Sequence, residues 1–401
     1  MVNMNVVPTV KGVTVKRVGI VGGGQLAWMM AAAAKKLGLE LVVQTESKAD
    51  PAVAIAADTV LAAVTDAQAT ASLANRSDVV TFENEFVDLD ALSRLAEQGV
   101  CFRPALSALS QLLSKYDQRC FLRDRGLPTP DFAKLSDRLS SNAELTFPCV
   151  LKTCRNGYDG YGTFIVKSRS EFDQVLVKVP PEDLLIESFV PFVRELAVMV
   201  ARSVSGEVVV YPIVQTHQEN AVCRWVKVPI DLPSALEQEI GAIARTIVDS
   251  LQVVGIFGIE LFETQDGRVL VNEIAPRTHN SGHYSLDACV TSQFEQQLRA
   301  VSGLTLGNSS LTCQGAVMVN LLGFESSTSD YSWVRSQLEA IPGATVHWYG
   351  KKESRSGRKL GHVTVCLESI DDENMDAMIR EIEDLWYPSA SSSEVYSQQT
   401  R

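Results

Sequence analysis

Short apolar runs alternate with amphipathic segments along residues 16–104. Such runs are typical of strands buried in a parallel sheet, and the Ala-rich segment after the first of them has helical periodicity. We predict strands at 17–21, 39–44, 59–62 and 78–82, and helices at 25–36 and 89–97. This alternation predicts an α/β domain with a parallel sheet.

The pattern changes after residue 104. Residues 105–305 begin with helices and continue with strands that turn residues separate, and residues 306–387 again mix both elements. In the last segment we predict strands at 316–321, 345–349 and 362–365, and helices at 333–338 and 371–385. Residues 388–401 are Ser-rich and polar, and we expect them to be disordered.

One acid interrupts an otherwise apolar strand at residues 255–262. This acid is Glu260, and Asp266-Gly267 further on is a two-residue hairpin signal. If those two residues form the loop, counting outward places Glu260 directly opposite Glu273. Two facing carboxylates must be protonated, solvated or bridged by a cation, and hard oxygen ligands suit Mg²⁺. Alternatively, they are unrelated acids at a frayed strand end.

A dense polar segment continues from this hairpin. Residues 272–283 read NEIAPRTHNSGH and combine a carboxylate, an arginine, two histidines and two amides in an otherwise apolar region. Such a concentration of polar groups indicates a reaction site.

A glycine turn separates the first predicted strand from its helix. Gly22 to Ala27 fit G-x-G-x-x-A, in which glycines admit a ligand to the backbone and the helix N-terminus attracts anions. Glu46 lies where a dinucleotide-binding acid could sit, so an NAD-dependent dehydrogenase is one interpretation. The same turn could hold a ribose phosphate or no ligand. Residues 81–85, TFENE, add polar groups at the same carboxyl edge of the sheet, or form a helix-capping loop.

A second glycine-rich loop follows a lysine. Residues 148–152 predict a buried strand that ends in Lys152, and residues 157–162 contain three glycines. The N–H groups of such a loop can cover phosphates while the lysine neutralises them, although a hairpin loop has the same pattern. Further on, residues 183–190 predict a strand that runs into a connector, and Glu195 opens the next strand.

The order of these features resembles the ATP-grasp superfamily. More closely, the segments at 22–26, 157–160, 272–283 and 357–362 (GRKLGH) resemble the 5-(carboxyamino)imidazole ribonucleotide synthase family, over residues 16–385. The resemblance implies an ATP-grasp fold of mixed α/β and α+β class in three parts. These are an N-terminal Rossmann-like domain (16–104), an ATP-grasp domain (105–305) and a small β-rich C-terminal domain that closes over substrate (306–387).

The resemblance also implies an activity. Members are ATP-dependent ligases of purine biosynthesis that carboxylate 5-aminoimidazole ribonucleotide with bicarbonate, through carboxyphosphate, and release ADP and phosphate. ATP and Mg²⁺ would be required, with Mn²⁺ able to replace the magnesium. Members are commonly dimers, so a homodimer is expected.

Individual roles follow from the same resemblance. The implied ATP contacts are Lys115, Lys152, Gly157, Tyr158, Asp159, Gly160, Tyr161, Gly162, Thr163, Glu187, Ser188, Phe189, Val190, Glu195, Gln218, Asn272 and Glu273, and the magnesium ligands are Glu260 and Glu273. The implied ribonucleotide contacts are Gly24, Gln25, Leu26, Glu83, Tyr158, Asp159, Arg277, His279, Asn280, Lys351 and Arg358. The catalytic candidates are Lys152, Asp159, Arg277, His279 and His283. Asp159, His279 or His283 would handle the proton of the substrate amine, although either histidine could instead orient the loop.

Three positions depart from the family pattern. Tyr161 stands where a lysine or arginine is usual, and Ser356 replaces a usual proline. Gln218 occupies a position that is often histidine, with His217 beside it. None of these changes falls on the expected magnesium ligands.

Composition narrows the partners. The 401 residues are 46% hydrophobic with a net charge of −12, which disfavours nonspecific nucleic-acid binding. No apolar run reaches membrane-spanning length and residues 1–14 lack the pattern of a signal peptide, so we expect a cytoplasmic protein without membrane contact. Eight cysteines without C-x-x-C spacing favour free thiols over disulfides or zinc.

A short basic cluster stands out against this acidic background. Its members are Lys351, Lys352, Arg355, Arg358 and Lys359. Such a run is commonly a solvated face, but a single cluster in an acidic chain favours a pocket for a substrate phosphate.

Other functions remain open on the sequence. A biotin-dependent carboxylase subunit and a formyl-transferring purine enzyme would share the fold. The dehydrogenase, from a different class, would change nicotinamide absorbance without ATP hydrolysis, and a nucleotide sensor would bind ATP without turnover.

Overall fold

The computed structural model describes residues 14–141, 144–155, 162–219, 221–370 and 372–387. The predictions for Gly157, Tyr158, Asp159, Gly160 and Tyr161, and for the tail at 388–401, lie outside these ranges.

A four-stranded parallel sheet forms the N-terminal unit, in the order β3-β2-β1-β4. The predicted alternation is confirmed, except that Met30 divides the predicted helix 25–36 in two. The elements are β1 (Arg17–Val21), α1 (Gln25–Met29), α2 (Ala31–Leu37), β2 (Glu40–Thr45), β3 (Asp58–Leu61), α3 (Ala67–Ala74), β4 (Val79–Phe82), α4 (Leu89–Glu97) and α5 (Leu106–Ser110). Since all strands are parallel, β1 and β4 end at one edge, where the turn at Gly22 and the acids after Phe82 meet.

A smaller antiparallel sheet follows, in the order β5-β8-β6-β7. It contains the strand that ends near Lys152 and the strand that runs into the predicted connector at residues 189–190. Its elements and the helices around it are α6 (Lys115–Asp124), β5 (Phe132–Lys134), α7 (Leu135–Ser140), β6 (Cys149–Thr153), β7 (Thr163–Val166), α8 (Arg169–Leu176) and β8 (Leu184–Ser188).

A nine-stranded sheet dominates the rest of the chain, in the order β14-β13-β9-β11-β12-β15-β17-β16, with β10 paired to β9. Its first strands and helices are β9 (Phe192–Arg202), β10 (Val208–Val210), β11 (Val214–Glu219), β12 (Val222–Val228), α9 (Ser234–Ser250), β13 (Gly255–Thr264), β14 (Val269–Ala275), α10 (Ser285–Ala288) and α11 (Gln293–Ser302). Helix α9 buries Ile240, Ile243, Ala244 and Ile247 in one core with β9 and β13. Their i, i+3, i+4, i+7 spacing forms one apolar stripe, and each large side chain contributes about 1.5–3 kcal/mol by burial.

The last segment continues this sheet instead of forming a separate one. Trp225 on β12 pairs with Val319 on β15, so strands from both sides of the predicted boundary at residue 305 share one ladder. The remaining elements are β15 (Gly315–Leu322), α12 (Ser332–Glu339), β16 (Ala344–Trp348), β17 (Lys359–Leu367) and α13 (Asp372–Trp386). The predicted strands and helices of this segment are thus confirmed: three of them are longer than predicted, and β16 and α13 are each shifted by one residue.

Two negative predictions concern the whole fold. All eight cysteines lie in the described ranges, and none forms a disulfide. No helix in the described part of the chain is long and apolar enough to cross a membrane.

Candidate active site

The two hairpin carboxylates face each other as predicted, but the length of the loop and the register of the strands that bring them together differ from the prediction. The loop contains three residues, because Thr264 and Arg268 close it through the bond from the Thr264 N–H to the Arg268 carbonyl. This shifts the pairing by one residue, and a bulge at Asn272 shifts it back, so Glu260 still pairs with Glu273.

Their electrostatic environments differ. Burial, then the nearby charges of Glu273 and Glu195, raise the pKa of Glu260 to about 7. Burial also acts to raise the pKa of Glu273, but Lys115 and Lys152 outweigh it and lower that pKa to about 2. The Lys115 ammonium lies 3.1 Å from the Glu273 carboxylate. One carboxylate is therefore ionised at neutral pH, while the second is poised to ionise when a cation arrives.

Lys152 connects this pair to the smaller sheet. Its ammonium donates to the Asn272 side-chain oxygen at 3.0 Å and lies 2.8 Å from Glu187. The Asn272 amide in turn donates to Glu260 at 3.4 Å. Burial lowers the pKa of Lys152, against the opposing effect of Glu187. The predicted phosphate lysine thus lies beside the predicted magnesium ligands.

Glu187 lies in a buried ion-pair cluster. Arg119 on α6 donates to its carboxylate at 2.5 Å, and both side chains are 3% exposed. Burial acts to raise the pKa of Glu187, but Lys152 and Arg119 lower it to about 2. Sequence reasoning missed Arg119 because a helical arginine 68 residues away carries no local signal.

The predicted connector, called the hinge below, lies between the end of β8 at Ser188 and the start of β9 at Phe192. Ser188 ends β8, Phe189 is 36% exposed, and Val190 continues the connector. Across β9, the backbone N–H of Gln218 donates to Glu195 at 3.2 Å, next to a bulge between His217 and Gln218. Burial raises the pKa of Glu195 to about 7, against that bond. The exposed edge of this hinge could stack a flat ring.

Gly162 and Thr163 are the two residues of the predicted phosphate loop that the structure describes. Thr163 pairs with Lys152 across β6 and β7, and the Thr153 N–H donates to the Gly162 carbonyl at 2.8 Å. Gly162 has a φ of +81°, and a Cβ there would collide with the Thr153 hydroxyl. Only glycine lets the loop return this closely to the strand.

Arg277 joins the polar segment to the N-terminal unit. Its guanidinium donates two hydrogen bonds to Glu85, at 2.6 and 3.1 Å. Burial acts to lower the pKa of Arg277, but Glu85 raises it further above its already high value. Glu85, Lys115, Arg155 and Glu273 line one small cleft. Glu85 belongs to the polar segment 81–85 predicted at this edge, but its pairing with Arg277 was not predicted.

The two histidines of this segment occupy different environments. The His279 ring lies 2.8 Å from the Ser281 hydroxyl and 3.6 Å from Glu260. His283 is fully buried, its Nδ1 lies 2.9 Å from the Gln293 amide, and burial lowers its pKa. Gln293 also binds the backbone N–H and carbonyl of His279. His279 therefore borders the carboxylates, whereas His283 lies in the packing behind the turn.

The side-chain amide of Asn280 already has a hydrogen-bonding partner. It exchanges two hydrogen bonds with Asn320 on β15, at 2.7 and 3.0 Å, and both residues are buried. Its predicted contact with the ribonucleotide would need this pair to open. Asn320 was not predicted from the sequence.

The glycine turn already contains a carboxyl group. The N–H groups of Gly24 and Leu26 donate to Glu83, at 2.7 and 3.3 Å. Burial raises the pKa of Glu83, against these bonds. A Cβ at Gly22 would lie 2.6 Å from the same carboxylate, and Glu46 is exposed. A pyrophosphate would have to displace Glu83, which disfavours the dinucleotide interpretation.

The C-terminal unit reaches this turn through one lysine. Lys351 donates to the Gln25 side chain at 3.0 Å and to the Lys359 carbonyl at 2.6 Å. Arg358 instead donates to the Glu353 carbonyl at 2.7 Å, within its own loop. Of the two basic residues of the C-terminal unit that were predicted at the substrate, Lys351 is the one that contacts another predicted residue, Gln25.

The comparisons with known proteins agree with this geometry. Family models for a ribonucleotide synthetase preATP-grasp domain, an ATP-grasp domain and a phosphoribosylaminoimidazole carboxylase C-terminal domain match residues 15–111, 120–294 and 316–374. The N5-carboxyaminoimidazole ribonucleotide synthase of Synechococcus elongatus is 55% identical, over 93% of this chain and 96% of its own. The chain belongs to this synthase family.

Other members of the family support the assignment. The synthase of Bacillus subtilis is 37% identical over 92% of this chain and 95% of its own. The synthetase structure from Thermotoga maritima has a TM-score of 0.82 at 37% identity, covering 92% of this chain and 98% of that one. The synthase from Aspergillus clavatus with ADP and 5-aminoimidazole ribonucleotide has a TM-score of 0.85 at 31% identity, covering 93% and 98%. The predicted family and fold class are confirmed.

Proposed function

We propose that this synthase uses ATP and bicarbonate to carboxylate the exocyclic amine of 5-aminoimidazole ribonucleotide, releasing ADP and phosphate. The observation that carries the proposal is one chain of polar contacts. It runs from Glu187 through Lys152 and Asn272 to Glu260 and His279. A phosphate held at its first end and an amine held at its other end would lie within one site.

The nucleotide end is built for phosphate. Lys115 and Lys152 place two cationic side chains next to Glu273, and the Gly162 carbonyl accepts a hydrogen bond from the Thr153 N–H at the end of β6. Preorganised cations stabilise the charge that develops on a transferring phosphoryl group. In the proposed first step, a bicarbonate oxygen attacks the γ-phosphorus, the bond to the β-phosphate oxygen breaks, and ADP and carboxyphosphate form.

The donor set of the hairpin fits Mg²⁺. Two facing carboxylates with an amide between them offer hard oxygen ligands, and burial together with the neighbouring acids raises the pKa of Glu260, which a bound cation would counteract. Glu260, Glu273 and Asn272 would hold the ion. When bound, it would neutralise charge on the β- and γ-phosphates.

The second half of the reaction needs a dry site. Carboxyphosphate breaks at its C–O bond to give carbon dioxide and phosphate, and the amine nitrogen then attacks the carbon and loses a proton. We assign that proton to His279, whose ring is 19% exposed and borders Glu260, whereas His283 is buried. Arg277, held by Glu85, would keep the bicarbonate-derived oxygens beside the nucleotide.

The substrate end would lie where the N-terminal sheet, the polar segment at residues 272–283 and the C-terminal unit meet. Glu83 at the glycine turn offers a carboxylate with a raised pKa, and Lys351 with Gln25 offers a cation and an amide. Arg358 would reach the ribose phosphate only when the C-terminal loop closes.

We also propose a homodimer, which light scattering on the purified protein would test.

The test is phosphate release from ATP with aminoimidazole ribonucleotide and bicarbonate each omitted in turn. We expect release to require both, together with magnesium. Release that requires biotin, formate or neither substrate would contradict the proposal. Glu260→Gln should abolish release while leaving folding intact, and Arg358→Ala should raise the KM for the ribonucleotide more than that for ATP.

A further inference from the structure

Three of the five histidines gather where the C-terminal strands meet α10. His347 on β16 and His362 on β17 are direct cross-strand partners, and their rings stack with centroids 4.6 Å apart. The Nε2 of His347 lies 2.9 Å from a carboxylate oxygen of Asp287. His283 lies on another side of the His362 ring, at 5.2 Å. This cluster is separate from the Glu260 and Glu273 pair.

The Asp287, His347 and His362 side chains converge. One ring nitrogen from each histidine and one Asp287 oxygen lie within 4.8 Å of one another. His362 is fully buried, and its Nε2 makes no hydrogen bond to any residue that the structure describes. The side chains of His347 and Asp287 are 21% and 16% exposed, so solvent reaches the cluster from their side. A buried acceptor nitrogen without a partner is costly unless a ligand binds it.

The surroundings favour a metal over a proton. The Tyr349 hydroxyl lies 2.8 Å from the Nδ1 of His362, so Nδ1–H can donate to it and leave a lone pair on Nε2. Metal-binding histidines commonly have such a partner on the other nitrogen. Burial lowers the pKa of His362, and the adjacent imidazoles reinforce the effect. A neutral imidazole is the form that coordinates a metal.

We propose that Asp287, His347 and His362 bind one transition-metal dication of the Zn²⁺ class. Two imidazoles and one carboxylate suit Zn²⁺ in tetrahedral geometry, with water in the fourth position, and are a poor set for Mg²⁺. Because metal–ligand distances are about 2.0–2.2 Å, the three ligand atoms must come to roughly 3.4 Å from one another. The 2.9 Å contact between the His347 Nε2 and Asp287 would therefore open slightly, while the wider separations would close. Small side-chain rotations of the partly exposed His347 and Asp287 supply this movement.

The ion would tie two parts of the chain together. Asp287 belongs to α10, beside the polar segment, whereas His347 and His362 belong to the strands that flank the Lys351 loop. Lys351 binds Gln25 at the glycine turn. A metal here would therefore fix the unit that carries Lys351 onto the rest of the site, without taking part in the chemistry.

The experiment titrates Co²⁺ and then Zn²⁺ into the chelator-treated full-length protein in excess Mg²⁺, which occupies the hairpin carboxylates. We expect one Co²⁺ per chain with visible absorption typical of nitrogen and oxygen ligands and no thiolate charge-transfer band. Zn²⁺ should displace it and raise the Tm.

Matched variants decide the assignment. Asp287→Asn keeps a hydrogen-bonding group for His347 but loses the anionic ligand, and His347→Gln removes one imidazole from a partly exposed position. Each should weaken binding at least roughly tenfold. His217→Gln, at an exposed histidine stacked on Trp225, should bind as the parent does. Absence of stoichiometric binding, or equal binding by the parent and both ligand variants, would overturn the proposal, whether or not the carboxylation is confirmed.

Discussion

Metal binding at the hairpin should depend on the protonation of Glu260. Burial and the adjacent acids raise its pKa from the ordinary 4.5 to about 7, while Glu273 stays ionised with a pKa of about 2. A divalent cation must therefore displace a proton from Glu260 at acidic pH. Below that pKa the apparent affinity should fall by about tenfold for each pH unit, and above it the affinity should level off.

The size of the effect follows from the same pKa. At roughly pH 6 about one tenth of Glu260 is ionised, and at roughly pH 8 about nine tenths, so binding should weaken by about tenfold between them. Mn²⁺ replaces magnesium as the probe, because the electron paramagnetic resonance signal of free Mn²⁺ reports binding without catalysis. Glu260→Gln should bind weakly and lose the pH dependence.

Glu195 provides the control, since burial raises its pKa to the same value and it is not an expected metal ligand. Glu195→Gln should keep the pH dependence of Mn²⁺ binding but move its midpoint to lower pH, because the charge of Glu195 helps to raise the pKa of Glu260. The reasoning is refuted if the parent binds Mn²⁺ equally well across this pH range, or if Glu195→Gln abolishes the dependence while Glu260→Gln preserves it.

Three further predictions concern other parts of the site. Glu187→Gln leaves two buried cations without their anion and should lower the free energy of unfolding by about 3–5 kcal/mol in urea titrations. The pKa of Glu187 is lowered from 4.5 to about 2, so the greater stability of the parent should be present at neutral pH and be lost as the pH falls from about 4.5 toward 2. Gly24→Ala puts a Cβ against Glu83 and should raise the ribonucleotide KM without changing ADP affinity, whereas Gly241→Ala, where a Cβ meets nothing within 4 Å, should change neither. Lys351→Met should weaken ribonucleotide binding in calorimetry and spare ATP binding, and equal losses would remove it from the substrate end.

The hairpin shows what the sequence can and cannot predict. Asp266-Gly267 marks a turn because Gly267 adopts a φ of +76°, and that local signal was correct. The loop is one residue longer than predicted, and the compensating bulge at Asn272 has no local signal. The Glu260–Glu273 pairing was therefore predicted correctly, although the predicted loop was one residue too short and the bulge was not predicted. A register that depends on a bulge is set by the neighbouring elements, here the Arg119 side chain that binds the Asn272 carbonyl.

The residues that sequence reasoning missed share one property. Arg119, Asn320 and Gln293 act through partners on other elements, and each is ordinary in its own segment. Arg277 was predicted from its motif, but the acid that orients it lies 192 residues earlier. The alternating elements of residues 16–104 and the final strands were predictable because hydrophobic periodicity is local. Met30 divides a predicted helix, and there its N–H donates to the Ala27 carbonyl, three residues back, in a tighter turn.

The most direct test of the proposed chemistry traces the oxygen atoms of bicarbonate into the released phosphate. Bicarbonate labelled with ¹⁸O is incubated with the enzyme, ATP, magnesium and aminoimidazole ribonucleotide, and the phosphate is analysed by mass spectrometry. If bicarbonate attacks the γ-phosphorus and carboxyphosphate then breaks at its C–O bond, each phosphate acquires one oxygen from bicarbonate. Phosphate whose new oxygen comes from water would contradict the account.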